Sequence, residues 1–440
     1  MNTAAYYGLA GEVVRFLAPQ TEADPAGLLI TFLSAFGAAV GPRPHALADG
    51  SRHPARLNVV LVGRSARARK GTSWAAIKRL FEVADPLFLH RRVIGGLASG
   101  EGLVADLAAR NPGLERCVLV TEPEFARLLR VASRSVSLSA LLREAWDGGD
   151  LAVLTRNKPL RAAGASVAVL GHVTSDELRT RLSQTEIANG LANRFQFSWV
   201  ERSQRLPSGG QLDEDALEAL GVQLANTIEA AQSIDLLTRS PQAESLWADI
   251  YRSIDDEVEG VIGSLTARAE AQLLRLSVVF ALLDSSSTIE VWHLVAARAV
   301  WDHCVETIER VFSSGQASDV EGRLLAALEE AGEGGLDGSQ QRDLFSRHLR
   351  GSRLAAARAS LERRGLARTQ VLASGGRPRI LTTAIGPVAP SAPARYSPSS
   401  LWSQVSASPQ PTHAGSMPED DNALTSGVTD LEGSVTEAGS

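Results

Sequence analysis

Lys70, Gly71, Thr72 and Ser73 have the residue types that phosphate binding needs. They follow residues 59–62, a short apolar run that suits a buried parallel strand, then Gly63 and a loop of small and basic residues. Trp74, Ala75, Ile77, Leu80 and Phe81 then recur at helical spacing. Strand, loop, Lys, hydroxyl and helix is the order of a phosphate-binding loop. Backbone N–H groups at a helix N-terminus cradle phosphate oxygens, a Lys neutralises them, and a hydroxyl holds Mg²⁺. Three departures from the usual pattern stand out. Six residues separate Gly63 from Lys70, Arg69 replaces the second Gly, and Gly71 intervenes before the hydroxyl, so Thr72 or Ser73 could hold the metal. Of the 44 basic residues only Lys70, Lys78 and Lys158 are Lys. In so Arg-rich a chain, a compact point charge at position 70 is chemically distinctive. Gly63, Arg69, Lys70, Gly71, Thr72 and Ser73 are therefore the expected nucleotide contacts, with ATP and Mg²⁺ as ligands.

Two further strands end in groups that such a site would use. Cys117-Val118-Leu119-Val120 runs into Thr121-Glu122-Pro123-Glu124. A carboxylate at that point positions Mg²⁺ and orients the attacking water. Glu122 is the expected catalytic carboxylate and metal partner, Glu124 the weaker second choice, and Thr121 stands where an Asp would be usual. Residues 166–170 form another apolar run, leading into Gly171-His172-Val173-Thr174. His172 or Thr174 is placed to sense a terminal phosphate, although a His bonded at a strand end is an equally simple reading. Arg194 precedes the apolar residues Phe195, Phe197 and Trp199. A lone Arg is usually a surface charge, but in an oligomeric ATPase such an Arg can reach a neighbour's γ-phosphate.

Five segments in this order resemble the helicase-like ATPase domain of unknown function found in primase-helicase and replication proteins of plasmids, phages and other mobile elements. They are Leu-Val-Gly-Arg-Ser-Ala-Arg-Ala-Arg-Lys-Gly-Thr-Ser (61–73), Val-Thr-Glu-Pro-Glu-Phe (120–125), Trp-Asp-Gly (146–148), Gly-His-Val-Thr (171–174) and Asn-Arg-Phe (193–195). The resemblance covers roughly residues 5–310. It implies a P-loop core like that of RecA and AAA-type motors, with Glu122, His172 and Arg194 in the catalytic roles given above. It also implies a homo-oligomer, a ring being one form, and a separate primase as a further partner. Many relatives carry an N-terminal primase-polymerase module; this chain starts almost at the ATPase, so priming by it is not expected.

The expected fold is α/β: a P-loop NTPase core with helical N-terminal and C-terminal flanks, then a winged helix. Residues 1–50 read as a helical segment, 51–201 as the core, 214–313 as a helical subdomain with helices at 246–261 and 266–283, and 318–384 as the winged helix. The helix at 266–283 carries Arg268, Glu270 and Arg275 and resembles one that returns an Arg to the nucleotide in ring ATPases; a core helix with exposed Arg is the simpler reading. Between 342 and 379 ten Arg face only Asp343 and Glu362, a surplus of eight positive charges. A helix pair with a basic wing at 373–378 suits contacts to DNA, and Arg353, Arg358, Arg377 and Arg379 are the expected ones. Residues 385–440 read as a disordered Pro- and Ser-rich tail.

The net charge is −6, yet residues 401–440 hold six acidic and no basic residues, so the rest is neutral. The acidity therefore does not argue against nucleic-acid binding. Two cysteines cannot build a disulfide framework, which fits a reducing cytosol. The start lacks a signal-peptide pattern, and the longest uncharged apolar stretch, 27–41, is too short to span a bilayer. No His/Cys cluster has metal-ligand spacing. Together these features lead to a cytoplasmic, DNA-dependent, helicase-like ATPase in replication or maintenance of a mobile element. The alternative is a non-motor nucleotide- and DNA-binding regulator with a degenerate P-loop.

Overall fold

A computed structural model gives the fold. It describes residues 1–385 except 155–158, 255–257, 259, 317–318, 346–350, 364–365 and 373–378. Two compact units divide the chain at Pro387, and the second, Val388–Ser440, lies wholly outside the described residues. So do the expected tail and the basic wing with Arg377.

The β-branched residues Val59, Val60 and Val62 have side chains that pack well on a pleated surface with both faces covered. Accordingly β1 (Val59–Gly63) is buried along its whole length, at the heart of a parallel sheet. The other strands are β2 (Val93–Gly95), β3 (Cys117–Glu122), β4 (Ser166–Thr174) and β5 (Gln196–Trp199), in the order β2-β3-β4-β1-β5. Every neighbouring pair is parallel. The chain is thus α/β, with the parallel sheet at its centre.

Helix α1 (Pro25–Val40) covers one face of the sheet. Asp24 caps it by accepting from the Ala26 N–H, and Gly41, at φ +86°, ends it. Of its 16 residues only Pro25 is not buried, so this helix of the 1–50 segment packs as part of the core. Helix α2 (Lys70–Ala84) follows β1 and packs on α1. Helices α3 (Phe125–Arg134) and α4 (Val136–Asp147) cover the other face, where Phe125, Leu128, Leu138 and Phe195 meet Val60, Val62, Val118, Val120 and Val169. Gly171 of β4 is required there, since a Cβ would stand 2.5 Å from the Phe125 ring.

Residues 45–54 form a hairpin that the sequence reading missed. Its strand His45–Ala48 pairs with Leu236–Arg239, which in turn pairs with Thr288–Ile289. The 214–313 segment is mainly helical and packs back onto the core. The helix expected over 246–261 is instead Pro241–Ser253 followed by Gly260–Thr266, and the one expected over 266–283 begins after Arg268, as α5 (Ala269–Leu283). Helix α6 (Val291–Gln316) follows.

Residues 319–385 make helices Asp319–Ala331, Gly338–Asp343 and Gly351–Arg363 and a three-stranded antiparallel sheet. Its strands are Leu336–Asp337, Ala367–Leu372 and Arg379–Ala384. Leu324, Leu328, Phe345, Leu354 and Leu361 form a separate small core. Arg353 and Arg358 stand on the third helix and Arg379 opens the last strand; the Arg358 side chain is half-exposed.

Candidate functional site

In a parallel sheet ligands gather outside the carboxyl ends of the strands, and the 63–73 loop leaves that end of β1. Gly63 lets the loop fold back, because a Cβ there would meet the Ala68 Cβ at 2.5 Å and come within 3.5 Å of Lys70 Nζ. The loop forms a short turn over Ala66–Ala68 and reaches Arg69, the N-cap of α2. Arg69 has φ +54°, a left-handed conformation that costs a non-glycine residue about 1 kcal/mol. The Arg therefore adopts the backbone that the second glycine of a phosphate loop would supply. Its side chain is held away by Glu22, whose Oε2 lies 2.6 Å from Arg69 Nε and 3.4 Å from Arg202. The Leu206 N–H donates to the other Glu22 oxygen. Nothing in the sequence between positions 22 and 69 signalled this pair.

Lys70 and Gly71 open α2. The first N–H groups of a helix have no intrahelical acceptor, and a Cβ at Gly71 would meet open space. Lys70 is buried, and its Nζ donates to the Ser65 carbonyl at 3.0 Å. Burial holds its ammonium below the usual lysine range, and the carboxylate acting against that is Glu177. Of the two candidate hydroxyls, Ser73 is buried against Gly27 of α1, whose Cβ would sit 2.8 Å from Ser73 Oγ, while Thr72 stays half-exposed. Thr72 is thus the more accessible of the two hydroxyls. Beside the loop, a cleft of about 480 Å³ is bordered by Arg64, Ser65, Arg67, Arg202 and Arg310.

His172 pairs in register with Leu61 of β1, so the two side chains share a face. It is buried, and its Nε2 finds no hydrogen-bond partner. Burial first, and then the Lys70 charge, push its pKa down to about 4, so the ring is neutral at pH 7. Thr174, the other candidate, is committed elsewhere. Its hydroxyl accepts from the Glu177 N–H and donates to the Glu177 carboxylate, a capping box for the helix Ser175–Arg181. That box was legible as Thr174-Ser175-Asp176-Glu177, and it is what brings Glu177 toward Lys70.

No protein-family model matches this chain, and no curated protein matches it either.

The other expected groups do not join the loop. Glu122 pairs with Gly171, one residue before His172, so strand alternation turns it to the opposite face of the sheet. It is buried there, accepting from the Leu97 N–H at 2.7 Å and from Arg127 at 2.6 Å. A carboxylate so engaged does not orient a water beside Lys70, and Glu124 is exposed at the start of α3. Thr121 is the residue on the loop's side, and its hydroxyl donates to the Ile94 carbonyl. Arg194 too is engaged within its own chain. It is buried, donates to both Asp147 oxygens at 2.8 and 3.1 Å and to the Gly190 carbonyl at 2.5 Å, and lies over the Trp146 ring. It precedes β5, at the amino edge of the sheet, and this conformation presents no guanidinium to a neighbouring subunit. The Asn193 Oδ1 beside it is buried without a partner. Among the described residues no three His, Cys, Asp or Glu converge as a metal cluster, and Cys117 and Cys304 are free and buried. No described helix is long and apolar enough to cross a membrane.

Proposed function

We propose that this chain is a helicase-like, DNA-dependent ATPase of a mobile element, built on a P-loop core of the RecA/AAA kind. One observation carries the nucleotide part: a left-handed Arg69 caps α2 directly before buried Lys70, beyond the carboxyl end of β1, which lies between β4 and β5 in the parallel sheet. That backbone, with the free amides of a helix N-terminus and a desolvated cation, suits a triphosphate. Lys70 would bind the β/γ-phosphates, Gly63 and Gly71 would let the backbone approach them, Thr72 would hold Mg²⁺, and neutral His172 would donate a ring N–H to a phosphate oxygen or its water. The helices and antiparallel strands of 319–385, read as a winged helix, would contact DNA through Arg353, Arg358 and Arg379. Homo-oligomerisation and a partner primase rest on the resemblance alone, and the reading sets the protein in the cytoplasm.

A nucleotide-binding regulator that does not turn ATP over is the second proposal. The hydrogen bonds that hold Glu122 away from the loop favour it. Steady-state ATP hydrolysis with and without single-stranded DNA, alongside ATP binding by calorimetry, separates the two. The ATPase predicts turnover stimulated by DNA and lost in Lys70→Ala. Binding without turnover selects the regulator, and equal ATP affinity in Lys70→Ala and the parent removes the loop from either scheme.

A further inference from the structure

A cleft of about 750 Å³ lies away from the loop. Arg56 precedes β1, Ser166 opens β4 and Arg194 precedes β5, so these groups mark the amino edge of the sheet. From Arg56 to Gly63 an extended chain covers roughly 20 Å.

At this edge α4 ends in Trp146 and Asp147. Arg56 and Arg275 each donate to the Trp146 carbonyl at 2.7 Å, which suits a helix C-terminus. The Trp146 ring is also surrounded by cations: Arg275 lies 3.6 Å, Arg268 5.1 Å and Arg194 5.5 Å from its centre. Among the described residues Asp147 is the carboxylate paired with this group. It is engaged by Arg194 at 2.8 Å, leaving Arg268 at 4.0 Å. Among the described residues four guanidiniums therefore gather around one paired carboxylate, and Arg56, Arg194 and Arg275 are buried, where an unbalanced charge is costly. His53, on the same cleft wall, is pushed down to about 4 by burial and then by Arg275 and Arg268. The Trp146 indole N–H is buried and finds no acceptor.

The cleft lining also includes aromatic rings. Trp247 and Tyr251 lie 6.4 Å apart on one helix, with Arg239 5.2 Å from the Trp247 ring, and Tyr251 is exposed. Asp49 and Glu270 also border the cleft and can accept from sugar hydroxyls or base amino groups. Surplus positive charge and flat rings in one cleft match a phosphate joined to a base. The volume is that of a small-ligand pocket.

We propose that this cleft is a second nucleotide-recognition site, with the phosphate on Arg268 and Arg275 and the base against Trp247 and Tyr251. The nucleotide is either free or one link of a single strand, and the site acts whether or not the 63–73 loop binds ATP.

The test uses the full chain carrying Lys70→Ala, so that the loop does not contribute. Two probes are titrated: AMP, and a thymidine tetranucleotide without terminal phosphates. Binding of AMP assigns a free nucleotide, and binding of the tetranucleotide assigns a strand. Either must weaken at least about fivefold in Arg268→Ala and in Tyr251→Ala, and Arg268→Lys must restore part of the loss. Both positions are solvent-accessible, and unchanged thermal melts verify the fold. Failure of both probes to bind overturns the proposal, as does binding that survives either alanine substitution.

Discussion

His172 offers the sharpest test of the site, because burial and a bound nucleotide should shift its pKa in opposite directions. In an unfolded chain a histidine takes its proton near pH 6.5; in the fold, burial and the Lys70 charge delay this to about pH 4. Between those values the unfolded state binds more protons than the native one, so stability falls as pH falls. For this one ring the loss is about 1 kcal/mol at pH 5.5 and about 3 kcal/mol below pH 4. Urea unfolding at pH 7.5 and 5.5, in the parent and in His172→Gln, isolates it: the parent should lose about 1 kcal/mol more than the variant. A bound triphosphate adds negative charge next to the ring and favours its protonated form. The His172 resonance should therefore titrate near pH 4 in the free protein and move upward with Mg·ATP. Titration near 6.5 without nucleotide would refute the burial argument. Saturating ATP that leaves the titration unmoved would refute the placement of phosphates beside β4.

The buried carboxylate offers a second test. Arg127→Ala leaves Glu122 with only the Leu97 N–H, and should cost about 2 kcal/mol in urea melts, less than a fully buried pair because Arg127 is partly exposed. Stability equal to the parent would mean that water already solvates Glu122. At the amino edge, Asp147→Ala strips buried Arg194 of its carboxylate and should cost about 3 kcal/mol, with part regained in the double variant Asp147→Ala/Arg194→Leu. A loss no larger in the single variant than in the double would rule out a burden from unpaired Arg194.

Local pattern was enough for the elements. The β-branched run of β1, the Gly-ended helices and the hydrophobic spacing of α2 are periodicities that any buried strand or amphipathic helix must show, and they placed Lys70 at a strand-to-helix turn. The hairpin at 45–54 was not legible because Ser51, Arg52, His53 and Pro54 carry little strand preference; pairing with Leu236–Arg239, nearly 200 residues away, decides it. The same distinction runs through the site. Sequence named Glu122 and His172 as polar strand ends, but which face each takes depends on register between β3, β4 and β1, and a step of one residue reverses a side chain. Arg194 could be read as a surface charge or as reaching a neighbour's phosphate until α4 brought Asp147 to it from 47 residues away. Arg69 looked like a broken glycine position; only the fold, with Glu22 holding its side chain, lets an arginine take the left-handed turn. Residue types set what chemistry is available, while long-range pairing sets which of those groups meet.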